Sequence, residues 1–336
     1  ASDVYKRQTL HTITFSEAVA RGLLVDYKVI VLSIEESHIN RRLQNLLKDA
    51  DNQIKVDDAA RIVGCWKALS KQGMTIDDLG EDSAAMSRAV AFCQVIEAHH
   101  KGKKHKVSSK NIASMFQRVV ETYQQSADDE ERAQYPDAFA LTCEAAHVDG
   151  SMNASQKEEK LNWLKAETSA HTCRVLSNVR CLSEGVDVPA LDAVLFLSPR
   201  NSQVDVVQSV GRVMRNAPGK KRGYVVLPVV IPAGMEPHEA LDDNNTYRVV
   251  WQVLQALRSH DDRFDAFINK IDLIGSEPRK MEVIAVCDKL PSQSAAKKAD
   301  SASGKGSYNL GESAPLGQHG QSQAPVQLTF EMGEIE

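Results

Sequence analysis

The side chains best suited to chemistry lie in one short segment, which reads QVDVVQSVGRVMR from residue 203 to residue 215. At about 100° per residue, one helical arc collects an amide, a glycine and two guanidinium groups, on Gln208, Gly211, Arg212 and Arg215. A guanidinium fork matches the oxygens of a phosphate, and a glycine lets a ligand come close to the backbone. The segment therefore predicts a phosphate-binding helix face, and a solvated basic face is the alternative for two arginines alone.

Apolar side chains occupy the opposite side of this helix and predict that this side packs against the rest of the fold. They are Val206, Val207, Val210, Val213 and Met214, and together they form a stripe that can pack on a sheet.

Apolar runs around this helix predict strands of a parallel α/β unit, at residues 174–177, 191–197 and 223–230. A polar loop, SEGVD at residues 183–187, follows the first of these strands, and the arginine-bearing helix follows the second. Because α/β proteins bind ligands at the carboxyl edge of the sheet, we expect the loop and the helix to reach that edge together.

The amino-acid sequence of this region resembles that of a known protein family. SEGVDVP followed by QSVGRVMR resembles motifs V and VI of superfamily-two helicases, ATP-driven motors with two RecA-like lobes. The resemblance lies in the second, C-terminal lobe and implies an α/β fold with a RecA-like parallel sheet flanked by helices. The longer stretch PALDAVLFLSPRNSQVD resembles the helicase module of Type ISP restriction-modification enzymes.

The resemblance implies roles for the residues of the nucleotide site. Arg212 and Arg215 would contact the γ-phosphate of Mg-ATP bound mainly to the other lobe, with Arg215 as the arginine finger. The remaining nucleotide-binding positions, near the ribose and the cleft between the lobes, would be Gln208, Glu184, Gly185 and Asp187.

The resemblance also implies contacts with a nucleic-acid backbone, and DNA is the expected partner. Ser177 and Asn178 stand where the family touches the backbone. Cys93 ends a predicted strand, RAVAFC, that resembles motif IV, and Gln94 follows it at the start of the next predicted helix; both are expected nucleic-acid-binding positions. The loop KGKKHKVSSK at residues 101–110 is basic, and it is interpreted either as a solvated loop or as a further phosphate contact.

Composition places limits on these expectations. The 336 residues are 42% hydrophobic and 25% charged, as in one globular domain with appendages, and a net charge of −5 requires any nucleic-acid contact to be local. None of the six cysteines forms a CxxC pair, which favours reduced thiols in a cytoplasmic protein and no metal site. No apolar run is long enough for a membrane span, and no signal peptide is visible.

Changes in pattern along the chain predict its organisation. The domain expectations are a non-native leader at 1–8, a connector from the first lobe at 9–26, the helicase C-terminal domain at 27–232 with a helical insertion at 35–85, a helical extension at 235–290, a disordered linker at 291–325 and the start of a truncated further domain at 326–336. Periodicity predicts helices at 16–21, 94–100, 111–125, 155–165 and 245–271. His147, in the turn before motif V, is interpreted as structural.

The sequence holds neither a Walker A segment nor a DEAD-like or DEAH-like acidic box. ATP hydrolysis by this route needs a phosphate-binding lysine loop and a carboxylate for Mg²⁺. We therefore expect the first lobe to supply both, and this chain to be inactive alone. Two alternatives remain: an RNA helicase lobe, although DEAD-class enzymes usually have histidine where Gln208 stands, and a non-enzymatic α/β nucleic-acid-binding module.

Overall fold

The computed structural model describes residues 13–48, 54–74, 82–96, 107–179, 188, 190–198, 202–232, 248–261, 281–286, 308–310 and 326–328. The predicted nucleotide-binding residues Glu184, Gly185 and Asp187 lie outside the described residues, as do the leader at 1–8 and most of the basic loop at 101–110.

A parallel sheet forms the centre of the fold. Its strands are β1 (Asp26–Glu35), β2 (Arg88–Phe92), β3 (Thr142–His147), β4 (Thr172–Asn178), β5 (Ala193–Phe196), β6 (Arg222–Ile231) and β7 (Met281–Val286). The strand order is β3-β4-β2-β5-β6-β1, with β7 as a seventh strand beside β1, and every neighbouring pair is parallel. The predicted RecA-like α/β fold is confirmed.

Helices connect the strands and cover both faces of the sheet. They are α1 (Phe15–Ala20), α2 (Glu36–Arg42), α3 (Gln44–Lys48), α4 (Val56–Leu69), α5 (Ser109–Gln125), α6 (Asp129–Gln134), α7 (Pro136–Ala140), α8 (Ala154–Lys165), α9 (Gln203–Val213) and α10 (Arg248–Arg258). Helices α2 to α4 lie within the insertion that was predicted at 35–85. A separate antiparallel pair, β8 (Tyr308–Leu310) and β9 (Val326–Leu328), lies near the end of the chain.

Strand β1 shows why the sheet is buried on both sides. Successive side chains of a strand point to opposite faces. Ile30, Leu32 and Ile34 join the core beneath α4 and α5, whereas Val29 and Val31 join the core beneath α9 and α10. Both sets are fully buried. A three-layer arrangement follows, with α9 and its arginines on the second of these faces.

The structure differs from two of the helix predictions. Residues 94–96 are not helical; instead, Val95 pairs with Ser108 in a parallel bridge, and α5 begins only at Ser109. The Ser108 hydroxyl accepts a hydrogen bond from the backbone N–H of Asn111 at 3.3 Å and so caps α5. The predicted helical extension at 235–290 contains α10 but also β7, whose MEVIAV sequence pairs with β1 as an edge strand.

The C-terminal end of α9 packs closely against the start of β6. A Cβ atom built on Gly223 would lie 2.8 Å from the carbonyl carbon of Val213 and even closer to its oxygen. Gly223 is the second residue of β6, so the last turn of α9 lies at the amino edge of the sheet. The expectation that the whole arginine face reaches the carboxyl edge is therefore wrong for Arg215, because α9 runs antiparallel to the strand that precedes it.

We expect Gly223→Ala to lower the free energy of unfolding by about 1–3 kcal/mol, because a methyl group here must displace the backbone of α9. Urea denaturation of the 336-residue chain measures this loss. Gly150→Ala is the matched control, since a Cβ atom at Gly150 would meet no atom within 4 Å. Equal stability of the two variants would contradict the close approach.

Candidate functional site

Helix α9 presents its two faces as the sequence predicts. Ser202 caps the helix, with its hydroxyl accepting from the backbone N–H of Asp205 at 3.2 Å. The apolar stripe is buried at Val206, Val210, Val213 and Met214, and Val207 is partly buried against the same core. This packing holds the opposite face of the helix away from the sheet.

The polar face of α9 brings four of the predicted residues together. Gln208 is exposed, whereas Gly211, Arg212 and Arg215 are partly buried. A Cβ atom on Gly211 would meet nothing within 4 Å, so the surface beside both arginines is open to an approaching group. Two guanidiniums and an amide next to open backbone fit the oxygens of a phosphate chain.

The segment before β1 is hydrogen-bonded to the end of this helix. The backbone N–H of Val25 donates to the carbonyl of Met214 at 2.8 Å, and Leu24 forms an antiparallel bridge with Arg215. The side-chain amide of Asn216 donates to the carbonyl of Gly22 at 2.8 Å. The predicted connector region therefore touches the residue predicted to be the arginine finger.

Lys220 holds the same end of α9 from the other side. Its ammonium group donates to the carbonyl oxygens of Leu191 at 2.6 Å and of Arg215 at 3.1 Å. Burial lowers the pKa of Lys220 to about 8, while the carboxylate of Asp192 acts in the opposite direction. Sequence reasoning missed both Asn216 and Lys220, because no local pattern reveals which carbonyl groups they reach.

The carboxyl ends of four strands are joined by hydrogen bonds at the other edge of the sheet. Val148 N–H donates to Ser177 at 3.0 Å, Cys93 N–H to Asn178 at 2.8 Å, and Leu197 N–H to Phe92 at 3.1 Å, each time at the carbonyl. The ends of β3, β4, β2 and β5 therefore form one continuous hydrogen-bonded surface at this edge.

Comparison with known proteins identifies the lobe. Residues 87–217 match the family described as the helicase conserved C-terminal domain. The ATP-dependent Type ISP restriction-modification enzyme LlaBIII, solved bound to DNA, is 41% identical with a TM-score of 0.68 over 82% of this chain and 16% of that one. The chain contains a helicase C-terminal domain.

Two viral proteins named as helicases also resemble the domain. One, from Sulfolobus islandicus filamentous virus, is 32% identical over 79 residues, which are 24% of this chain and 13% of the relative. The other, from African swine fever virus, is 39% identical over 57 residues, which are 17% of this chain and 7% of the relative. The chain thus spans only a small part of the length of each of these relatives.

The helicase domain buries most of the side chains predicted to touch nucleic acid. Ser177, Asn178 and Cys93 are at most 1% exposed, and only Gln94 is exposed. The Ser177 hydroxyl donates to the carbonyl of Ser109 at 2.7 Å, and the Asn178 amide donates to the carbonyl of Ala91 at 3.2 Å. The hydrogen-bonding atoms of Ser177 and Asn178 therefore face the protein interior, and a role of the predicted residues in binding nucleic acid stays a prediction.

His147 belongs to a buried polar network of the helicase domain. Its Nδ1 lies 3.1 Å from the hydroxyl of Ser109, and its Nε2 lies 2.8 Å from a carboxylate oxygen of Asp149. Hydrogen bonds from Ser151 and His147 hold the pKa of Asp149 well below its usual range. Although the order resembles a hydrolase triad, Ser109 is 0% exposed and no substrate can reach it. The geometry agrees with the structural interpretation of His147.

Within the described residues of the helicase domain and its flanks, no helix is long and apolar enough to cross a membrane. The same residues contain no cluster of three or more His, Cys, Asp or Glu side chains that could hold a metal ion.

We expect Ser177→Ala to reduce the free energy of unfolding by about 1–3 kcal/mol, because it removes the hydroxyl donor of a buried carbonyl. Urea unfolding is the measurement, and Ser155→Ala, at an exposed serine, is the control. If Ser177 instead touched nucleic acid directly, nucleic-acid affinity would fall while the unfolding curve stayed unchanged.

Proposed function

We propose that this chain is the second motor lobe of an ATP-dependent DNA helicase or translocase of the restriction-enzyme type. The observation that carries the proposal is the outward face of α9, where Gln208, Gly211, Arg212 and Arg215 share one side of a helix packed on the sheet. The 41% identity to LlaBIII, an ATP-dependent enzyme solved bound to DNA, supports the choice of DNA.

In this proposal the two arginines act on the terminal phosphate of ATP held by the first lobe. Arg215 is the arginine finger, and Arg212 together with Gln208 orients the nucleotide from the same helix face. A fixed guanidinium stabilises the charge that develops during phosphoryl transfer more than it stabilises the bound substrate. The arginines should therefore affect turnover more than nucleotide affinity.

Magnesium belongs to the partner lobe in this proposal. Mg²⁺ at nucleotide sites is usually held by one or two carboxylates together with phosphate oxygens, and this sequence has no DEAD-like or DEAH-like acidic box to provide the carboxylates. This chain would therefore supply arginine donors rather than metal ligands, and it should not hydrolyse ATP by itself.

The carboxyl edge of the sheet is the proposed surface for the DNA backbone. Gln94 is exposed there, and Val95 beside it pairs with Ser108, one of the described residues of the predicted basic loop. Backbone contacts of this kind position a motor without reading the base sequence. The buried residues Ser177 and Asn178 would act by shaping this edge.

We expect Arg215→Ala and Arg215→Lys, in the ATPase that contains both lobes, to lose most DNA-stimulated ATP hydrolysis. Arginine fingers in related phosphoryl-transfer enzymes contribute about 10³–10⁵ in rate, and a lysine lacks the planar fork. Steady-state ATPase assays and equilibrium binding of a labelled nucleotide measure the two effects separately, and nucleotide affinity should fall far less than turnover.

The control for this experiment is Arg118→Lys, at an exposed arginine on α5, which should leave turnover unchanged. Near-normal turnover of Arg215→Lys would contradict the finger assignment and make Arg212 the candidate. Near-normal turnover of alanine variants at both positions would favour the non-enzymatic binding module.

A nucleic-acid comparison distinguishes a DNA motor from an RNA helicase. We expect duplex DNA to stimulate ATP hydrolysis more strongly than duplex RNA of the same sequence. Binding should depend little on base sequence and should weaken steeply with salt, because it rests on phosphate contacts. Stronger stimulation by RNA would reject the DNA assignment in favour of the RNA helicase alternative.

A further inference from the structure

The end of helix α9 is fixed at its main chain as well as by its apolar stripe. Three groups from outside the helix bind the short stretch from Met214 to Asn216: the backbone N–H of Val25, the backbone carbonyl of Gly22 and the ammonium group of Lys220. Arg215 lies in the middle of this stretch. The direction of its side chain is set by a backbone that other parts of the chain hold.

The first of these restraints comes from the segment Gly22–Val25, immediately before β1. Val25 donates to the carbonyl of Met214, and the carbonyl of Gly22 accepts from the amide of Asn216. Gly22 has a φ of +69°, which bends the chain where α1 ends. Leu24 pairs with Arg215 between these two bonds. A movement of this segment would therefore move the backbone of Arg215.

The second restraint is the ammonium group of Lys220. It joins the carbonyl of Arg215 to that of Leu191, which lies just before β5. Asp192 is anchored in turn, since its carboxylate accepts from the backbone N–H groups of Ser87 and Arg88 at 2.8 and 3.0 Å. Lys220 thus ties Arg215 to the amino edge of the sheet, which is rigid because its strands are buried on both faces.

We propose that Lys220, Asn216 and the segment Gly22–Val25 form a clamp that positions Arg215 for its action on the terminal phosphate. Lys220 and Asn216 are positioning residues in this arrangement, and neither needs to touch the nucleotide. The inference rests on the proposed function, in which Arg215 is the arginine finger. Where the segment before β1 joins the first lobe, the clamp transmits movement of that lobe to the finger.

The proposal predicts a loss of turnover that depends on Arg215. In the ATPase that contains both lobes, Lys220→Met should lower the DNA-stimulated kcat roughly tenfold, because the partly buried carbonyl of Arg215 loses its charged donor. Asn216→Asp keeps the side-chain shape but removes the donor to Gly22, and it should lower kcat about threefold. The KM for ATP should change by less than about twofold, because the contacts that bind ATP equally well in the ground state and the transition state are unchanged.

A double-mutant cycle with Arg215→Ala separates positioning from general damage. When several residues act through one group, the effects of substituting them are strongly non-additive. In the Arg215→Ala background, Lys220→Met and Asn216→Asp should therefore cause no further loss of kcat. Lys221→Met, at an exposed neighbour, is the matched control and should leave kcat unchanged in both backgrounds. Asn216 is exposed, so its variant tests the clamp even where Lys220→Met is poorly folded.

The outcomes distinguish the clamp from the function on which it rests. If Arg215→Ala itself leaves kcat unchanged, the finger assignment fails and the clamp fails with it. If Arg215→Ala lowers kcat but Lys220→Met and Asn216→Asp lower it additively, or not at all, only the clamp is overturned. Thermal unfolding of each variant measures its folded fraction. A loss of kcat that is caused only by partial unfolding can then be recognised.

Discussion

Burial of the parallel sheet on both faces is the constraint on which the rest of this lobe depends. Strands β1 and β6 alternate fully buried apolar side chains between the two helical layers, so neither face leaves room for chemistry. Polar function is confined to the strand ends and to the outward faces of helices. The arginine face of α9 satisfies this constraint, because the valines on its other side complete one of the two cores.

The same constraint explains why several polar residues near the carboxyl edge face inward. A polar group removed from water needs a hydrogen-bond partner, and the ends of adjacent parallel strands provide carbonyl groups at fixed spacing. Ser177 and Asn178 use those carbonyls, and His147 bridges Ser109 and Asp149. Their polarity therefore maintains the relative positions of the strand ends, and the resemblance to a nucleic-acid motif does not require each side chain to make a contact.

Local periodicity accounts for what could be predicted from the sequence. The apolar and polar faces of α9, the strands β2, β4, β5 and β6 and the helices of the insertion all follow patterns within a few residues, and the structure agrees with them. The contacts that hold Arg215 could not be predicted in this way, because Asn216 and Gly22 are 194 residues apart. The location of Arg215 was mispredicted for a simpler reason: a helix that begins at the carboxyl edge of a parallel sheet must return its last turn to the amino edge.

Helix α9 crosses the sheet and so connects the two proposed sites of the lobe. The helix begins after β5 at the carboxyl edge, where the proposed DNA surface lies, and ends beside Gly223 at the amino edge. Its 11 residues span roughly 16 Å at about 1.5 Å per residue. Coupling between sites requires a physical element that both can bias. A helix packed along its length on a buried sheet moves as one body, so a displacement at its first turn reaches Arg215 with little loss, and the bonds from Val25 and Lys220 limit how far that end can move.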